Sequence, residues 1–310
     1  MKKTPKVSIV IPLYNKEKFI AQTLNSILSQ TFQDWECIVV DDGSNDLGPK
    51  IVTKYTSNFP NRFTLIRQIN SGQAIARNVG ISKAVGEYIA LLDADDLWHP
   101  RKLSRQIAAL ENEPTCDLLL SGYAIVGTSQ ATQVVIPRNH KDLLNNWLYM
   151  EGYGGALESV AIIKRSVFSE FTFDKQLSTS SGLYFYLQVS NAGRILFTED
   201  IEMVYQKYPG QWHTSINELA RNIGLIEAST LNFDHDKLIR NFSQWRNMKA
   251  AKDAFDEKKI FVGLKLLRHL RWNFLIRRTW NLVSSKVLGL ILKGKVHEIL
   301  LSAHVPERIL

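Results

Sequence analysis

Cysteine is scarce: Cys37 and Cys116 are the only two in 310 residues. Cys37 sits in the apolar run from Trp35 to Val40, so a buried thiol and a reducing, cytosolic setting are expected, not a disulfide framework. Long hydrophobic runs are also missing, and no apolar stretch reaches the ~18 residues of a spanning helix. Lys2 and Lys3 with the apolar run to Ile11 imitate a leader, but Pro12 and then Asn15, Lys16, Glu17 and Lys18 cut it short. No G-x-G-x-x-G follows that first run, which argues against a dinucleotide-binding oxidoreductase. Acids are absent from Lys258 to His297.

That last absence locates the charge. The net charge is +8, yet Lys258 to Leu310 alone carries eleven Lys/Arg against Glu298 and Glu307. The rest of the chain is balanced, so the basic character belongs to the tail. With 45% hydrophobic and 22% charged residues the composition is that of a globular protein with a sizeable core.

Read in order, the chain alternates apolar strand-like runs with helical patterns. Lys6 to Leu13, Trp35 to Val40, Phe63 to Gln68 and Tyr88 to Leu92 read as strands. Between them, Phe19 to Leu28, Ile51 to Phe59 and Ala74 to Val85 read as helices. Arg101 to Glu111 follows as a fourth. Strands are again expected at Asp117 to Val126, Val134 to Pro137 and Ser159 to Ile163. This alternation predicts an α/β fold with a doubly wound, mostly parallel sheet.

Carboxylates follow two of the strands, at Asp41-Asp42 and at Asp93-Ala94-Asp95-Asp96. In extended chain Asp93 and Asp95 share a face. Paired carboxylates at a strand's carboxyl end suit a hard divalent cation, and open α/β sheets bind ligands there. The plainer reading is a turn with Asp96 as the next helix's N-cap. A calcium loop is set aside because its glycine and closing glutamate are missing.

The segments VSIVIPLYN (7–15), SQTFQDWECIVVDDGSND (29–46) and ARNVGISKAVGEYIALLDADDLWHP (76–100) together resemble the family 2 nucleotide-sugar glycosyltransferases of the GT-A fold. The resemblance runs from Val7 to about residue 193. It implies a GT-A, Rossmann-like domain over residues 1–215, leaving 216–310 as a basic, mostly helical C-terminal region. It places Pro12, Tyr14 and Asn15 along the nucleotide, Asp42 at the base and Arg77 beside the pocket. Asp93 would lie near the ribose, and Asp95 would hold Mg²⁺ or Mn²⁺. Each has a plainer reading: Pro12 as a strand end, Arg77 as a solvated helix residue or surface ion pair.

Two departures fall on the acceptor side. Ungapped register from Phe173 places Ser181-Gly182 where the family carries a Glu-Asp pair whose Asp is the general base. Neither Ser nor Gly can serve as that base. Glu158 and Asp174 become the candidate bases. Tyr208 stands where the family often has a metal-binding His, and His213 is an alternative further on.

The expected function is sugar transfer from a nucleoside-diphosphate sugar to a glycan or lipid-linked acceptor in cell-surface polysaccharide synthesis, inverting by family analogy. The rival is a catalytically degenerate relative that binds nucleotide-sugar or serves as a scaffold. In the tail, Trp272, Trp280 and several Leu and Phe interleave with Lys and Arg, a pattern suited to an anionic membrane surface or to packing on the catalytic domain. Nothing else in the chain resembles a nucleic-acid module. A cytoplasmic protein, peripheral at the inner face of the plasma membrane, is therefore expected.

Overall fold

The computed structural model describes residues 4–127, 133–136, 157–192, 194–206 and 208. The basic tail, His213 and the expected domain boundary at residue 215 lie outside the described residues.

The first half is the parallel α/β unit that the alternation predicts. Strands β1 (Val7–Leu13), β2 (Trp35–Asp41), β3 (Phe63–Arg67) and β4 (Tyr88–Leu91) lie side by side in the order β3-β2-β1-β4, all parallel. β1 is central and buried at all seven positions, as an unbroken apolar strand must be when helices cover both faces. Helices α1 (Ile20–Leu28), α2 (Gly48–Asn58) and α3 (Gln73–Lys83) make the crossovers. α1 buries Ile20, Leu24 and Ile27, the i, i+4, i+7 stripe that faces a core. α3 lies against β1 and β2 through Gly80, where a Cβ would run into Val10 and press on Val40.

The second half is mixed. It comprises β5 (Asp96–Trp98), α4 (Lys102–Asn112), β6 (Leu118–Val126), β7 (Gln133–Val135), the one-turn α5 (Leu157–Val160), β8 (Ala161–Lys164), α6 (Ser181–Asn191) and β9 (Ile195–Gln206). The sheet continues β4-β8-β6-β9-β5, with β7 on β6. β8 is antiparallel to β4 and to β6, β9 is parallel to β6, and β5 is antiparallel to β9. In a flat sheet the four strand steps from β4 to β5 would cover ~19 Å. Only residues 92 to 95 connect them, folded into a turn by a bond from Asp96 N–H to the Asp93 carbonyl (3.1 Å). The sheet must curl so that its far edge returns beside β4.

Three readings change here. The strand expected from Ser159 begins at Ala161, because residues 157–160 form a helical turn. Asp96 opens β5, buried in the sheet, and caps no helix. Asp93 and Asp95 flank a turn, so the alternation that would put them on one face does not apply.

Because Val10 Cγ1 is held in a fully buried strand, it cannot retreat from a side chain at position 80. Gly80→Val should lower stability by about 2 kcal/mol, within the range for overpacked cores. Urea denaturation of the full chain would measure this; an unchanged midpoint and slope would contradict the close approach of α3 to β1.

Candidate active site

The carboxyl ends of β1, β2 and β4 carry the residues that the sequence singled out. Pro12 is buried within β1, opposite Val40. Tyr14, just past the strand, is 45% exposed and free to meet a ligand. Asn15 turns the chain with φ 52°, a left-handed conformation that Asn tolerates better than most residues. Its N–H donates to Ser44 Oγ (3.0 Å), and its Oδ1 accepts from Asn45 N–H (2.9 Å). Across the same gap Glu17 N–H donates to Asp46 Oδ2 (2.7 Å), and Glu17 Oε2 accepts from Leu47 N–H (2.9 Å). The loops after β1 and β2 are thereby stitched into one ledge.

Asp42, 4% exposed, organises the loop before α3. Its Oδ1 accepts from Gln68 Nε2 and Ser71 N–H, each at 2.8 Å, and its Oδ2 accepts from Gly72 N–H at 2.9 Å. The neighbouring Asp41 is buried and paired with Arg67.

Arg77 is buried, where the plainer reading had it solvated. It projects from α3 and is 2% exposed. Its Nη2 donates to Asp93 Oδ1 (2.7 Å) and its Nη1 to Glu158 Oε1 (3.0 Å). Gln73 Nε2 adds a second bond to Asp93 Oδ1 (3.0 Å). Burial opposes the guanidinium charge, but Glu158 and Asp93 outweigh it and raise its pKa above the ordinary value. Ser159 binds the acidic turn from the other side. Its Oγ accepts from Asp93 N–H (3.0 Å) and donates to Asp96, and its carbonyl accepts from Trp98 Nε1 (2.7 Å). Burial raises Asp96 well above the usual carboxylate range, with Asp95 and Asp93 adding to the shift. Asp96 is therefore a buried acid of the β5 start, held by Ser159.

Asp95 has different partners from Asp93. Its Oδ2 accepts from Lys16 Nζ (2.6 Å) and from the Tyr208 hydroxyl (2.7 Å), which also contact each other. A hard divalent cation needs an oxygen cage, with carboxylates freed for it. Here an ammonium and a phenol occupy Asp95 Oδ2, and Asp93 Oδ1 turns to Arg77 and Gln73. Among the described residues no group of three His, Cys, Asp or Glu could hold a metal ion. As arranged, these side chains do not fit the expected Mg²⁺ or Mn²⁺.

The structure separates the two candidate bases. Glu158 joins the acids through Arg77. Asp174 lines a different pocket, of about 660 Å³, beside Asn78, Ser82, Tyr184 and Gln188. Its Oδ1 accepts from Gln176 N–H (2.8 Å) and caps a turn. Glu158 packs directly on Gly182: any Cβ there would overlap its Oε1. The carboxylate of α5 thus fills the space that a side chain on α6 would need. Glu158 Oε2, Ser181 Oγ, Tyr186 OH and Arg77 Nε are all buried without a hydrogen-bond partner among the described residues. Burial pushes the Glu158 pKa up to about 7, against the pull of Arg77.

Lys16, Ser159 and Tyr186 escaped the sequence reading. A lysine in a polar loop, a serine opening an apolar run and a tyrosine inside a helix carry no local signal of a site.

Replacing Arg77 by Met would leave the buried Glu158 and the partly covered Asp93 with no cation between them. Uncompensated buried charge of this kind costs about 3–5 kcal/mol, so R77M should show that loss in chemical denaturation, and R77M with E158Q should recover part of it. Wild-type stability in R77M would contradict the bridge.

A family profile described as "Glycosyl transferase family 2" matches residues 8–171, just over half the chain. The chain is 36% identical over 122 residues to the putative teichuronic acid biosynthesis glycosyltransferase TuaG of Bacillus subtilis (strain 168). That alignment covers 39% of this chain and 48% of TuaG. The chain spans about a third to a half of the length of the first curated relatives it matches. Among solved structures, S. aureus TarS 1-349 in complex with UDP superposes with a TM-score of 0.59 at 22% identity, over 82% of this chain and 75% of that one. A mannosyltransferase from Pyrobaculum calidifontis in complex with GDP-Man and Mn²⁺ gives 0.55 at 16% identity, over 94% and 87%. Both likenesses are of fold, and the curled mixed sheet with its covering helices is the GT-A fold that the sequence led us to expect. From the profile match and the ordered motifs that carry it, the chain belongs to glycosyl transferase family 2.

Proposed function

We propose that the chain transfers a sugar from a nucleoside-diphosphate sugar to a glycan or lipid-linked acceptor in cell-surface polysaccharide synthesis, inverting the anomeric carbon. The observation that carries this reading is that Asp42, Asp93 and Asp95 all lie just past the carboxyl ends of the parallel strands β2 and β4, with Arg77 bridging Asp93 to Glu158. Relatives support the direction: TuaG is named for teichuronic acid biosynthesis, and TarS was solved with UDP.

In this reading the nucleotide lies along Tyr14, Asn15 and Asp42, with the ribose toward Asp93. Asp93 keeps 16% of its side chain exposed and so can meet a ligand. The acceptor hydroxyl attacks the anomeric carbon from the side opposite the leaving diphosphate. Glu158 takes the hydroxyl proton as general base, and Arg77 ties its position to that of Asp93. Its raised pKa suits this role, because a base works best when it titrates near the working pH.

A second reading, binding without turnover, draws on one observation: Glu158 is only 2% exposed. Release of nucleoside diphosphate from UDP-GlcNAc and GDP-Man, with water as acceptor, separates the two readings. We expect slow hydrolysis of one donor, rising with pH through about 7 as Glu158 loses its proton. Glu158→Gln should slow it by about 10²-fold or more, the scale of general-base catalysis, with nucleotide affinity unchanged. A flat pH profile and an unaffected E158Q rate would remove Glu158 from the reaction. Nucleotide binding with no release of diphosphate would favour the binder.

The tail leads us to propose a peripheral site of action at the inner face of the plasma membrane. No described helix is long and apolar enough to cross a membrane. Each surface Lys or Arg can add ~1 kcal/mol of attraction to anionic lipid, screened by salt. The full chain should sediment with phosphatidylserine vesicles at low salt and release as salt rises. Equal binding to neutral vesicles would contradict an electrostatic anchor.

A further inference from the structure

The donor site, if the transferase reading holds, must neutralise a diphosphate beside two carboxylates. Arg77 cannot do so, because Asp93 and Glu158 already hold it. Arg67 is paired with Asp41. Lys16 is differently placed.

The backbone of Lys16 is fixed on both sides. Asn15 before it is locked to Ser44 and Asn45, and the Lys16 carbonyl accepts from Phe19 N–H and Ile20 N–H, each at 3.0 Å, at the start of α1. The side chain is aimed over the acidic turn. Its Nζ sits 2.6 Å from Asp95 Oδ2, against the Tyr208 hydroxyl, and 5.2 Å from the centre of the Tyr208 ring. That ring stacks on Phe19 with centroids 4.2 Å apart, which holds the seat in place. An ammonium has three donors, and Asp95 and Tyr208 account for two among the described residues. A quarter of the side chain is exposed, so the third donor has a route to a ligand.

We propose that Lys16 is the resident cation of the donor site. Seated on Asp95, its ammonium takes the diphosphate of the nucleotide-sugar where a divalent metal ion would otherwise sit. The chemistry is consistent: as the sugar–phosphate bond breaks, the electron pair stays on the diphosphate oxygen, and a fixed positive charge beside it stabilises the leaving group. Asp95 then orients a protein cation through its Oδ2.

Calorimetric titration of UDP and of GDP into the full chain tests this, in EDTA and in Mn²⁺. For the wild type we expect affinities within about threefold of each other in the two conditions. Lys16→Met should weaken binding at least tenfold in EDTA and regain part of it in Mn²⁺, because Asp95 is then free to ligate. Lys16→Arg, which keeps the charge and serves as a folding control, should retain binding in EDTA. Wild-type binding that disappears in EDTA and returns with Mn²⁺ would overturn the proposal, as would K16M binding in EDTA as tightly as wild type. Failure of the wild type to bind either nucleotide in both conditions would overturn the donor-site reading itself, and Lys16 with it.

Discussion

Arg77 holds a fixed positive charge in the interior, with one carboxylate on each side. Burying such a group unpaired would be prohibitive, so Asp93 and Glu158 must be where they are for α3 to pack. The three charges come from three separate elements: a helix, the turn after β4, and the single turn of α5. Joining them fixes the distance between the acidic turn and Glu158. The same helix carries Gly80 against the sheet and Asn78, whose Nδ2 donates to the Phe173 carbonyl (2.8 Å). α3 therefore transmits the position of the sheet to the site.

Beneath the acidic turn a second buried network holds the returning edge of the sheet. Lys102 is fully buried, with Nζ over the Trp98 ring and bonded to Gln106. Burial lowers its pKa to about 7, against the pull of Glu202. Glu202, on β9, pairs with Arg105, and the Glu202 carbonyl accepts from His99 N–H. β5, α4 and β9 are thus clamped together, and Tyr208, two residues past the end of β9, can reach Asp95. The curl of the sheet and the seating of Lys16 have one cause.

The parallel half of the fold was legible because β1, β2 and β4 are buried along almost their whole length and read as apolar runs. β9 was not, because Thr198, Glu199 and Asp200 interrupt it at the irregular register beside Gly122. Asp42, Asp93 and Asp95 were visible as acids at strand ends. Their separate partners were not, since the alternation rule that grouped Asp93 with Asp95 fails inside a turn. Gly182 was legible only as a missing base. That it makes room for Glu158 is a fact of packing between two helices, and no local pattern encodes it. Lys16 is harder still, because the groups that give it meaning lie 79 and 192 positions away.

In the proposed transfer the donor lies on the Lys16–Asp95 side of the Arg77 bridge, and the attacking group arrives on the Glu158 side. A crystal structure of the chain with UDP-GlcNAc, grown in EDTA, tests it most directly. The account requires the base near Asp42, a diphosphate oxygen within hydrogen-bond reach of Lys16 Nζ, and the anomeric carbon turned toward Glu158, with the Arg77 bridge unbroken. A nucleotide bound away from Asp42, or a diphosphate that leaves Lys16 on Asp95 without contact, would contradict it.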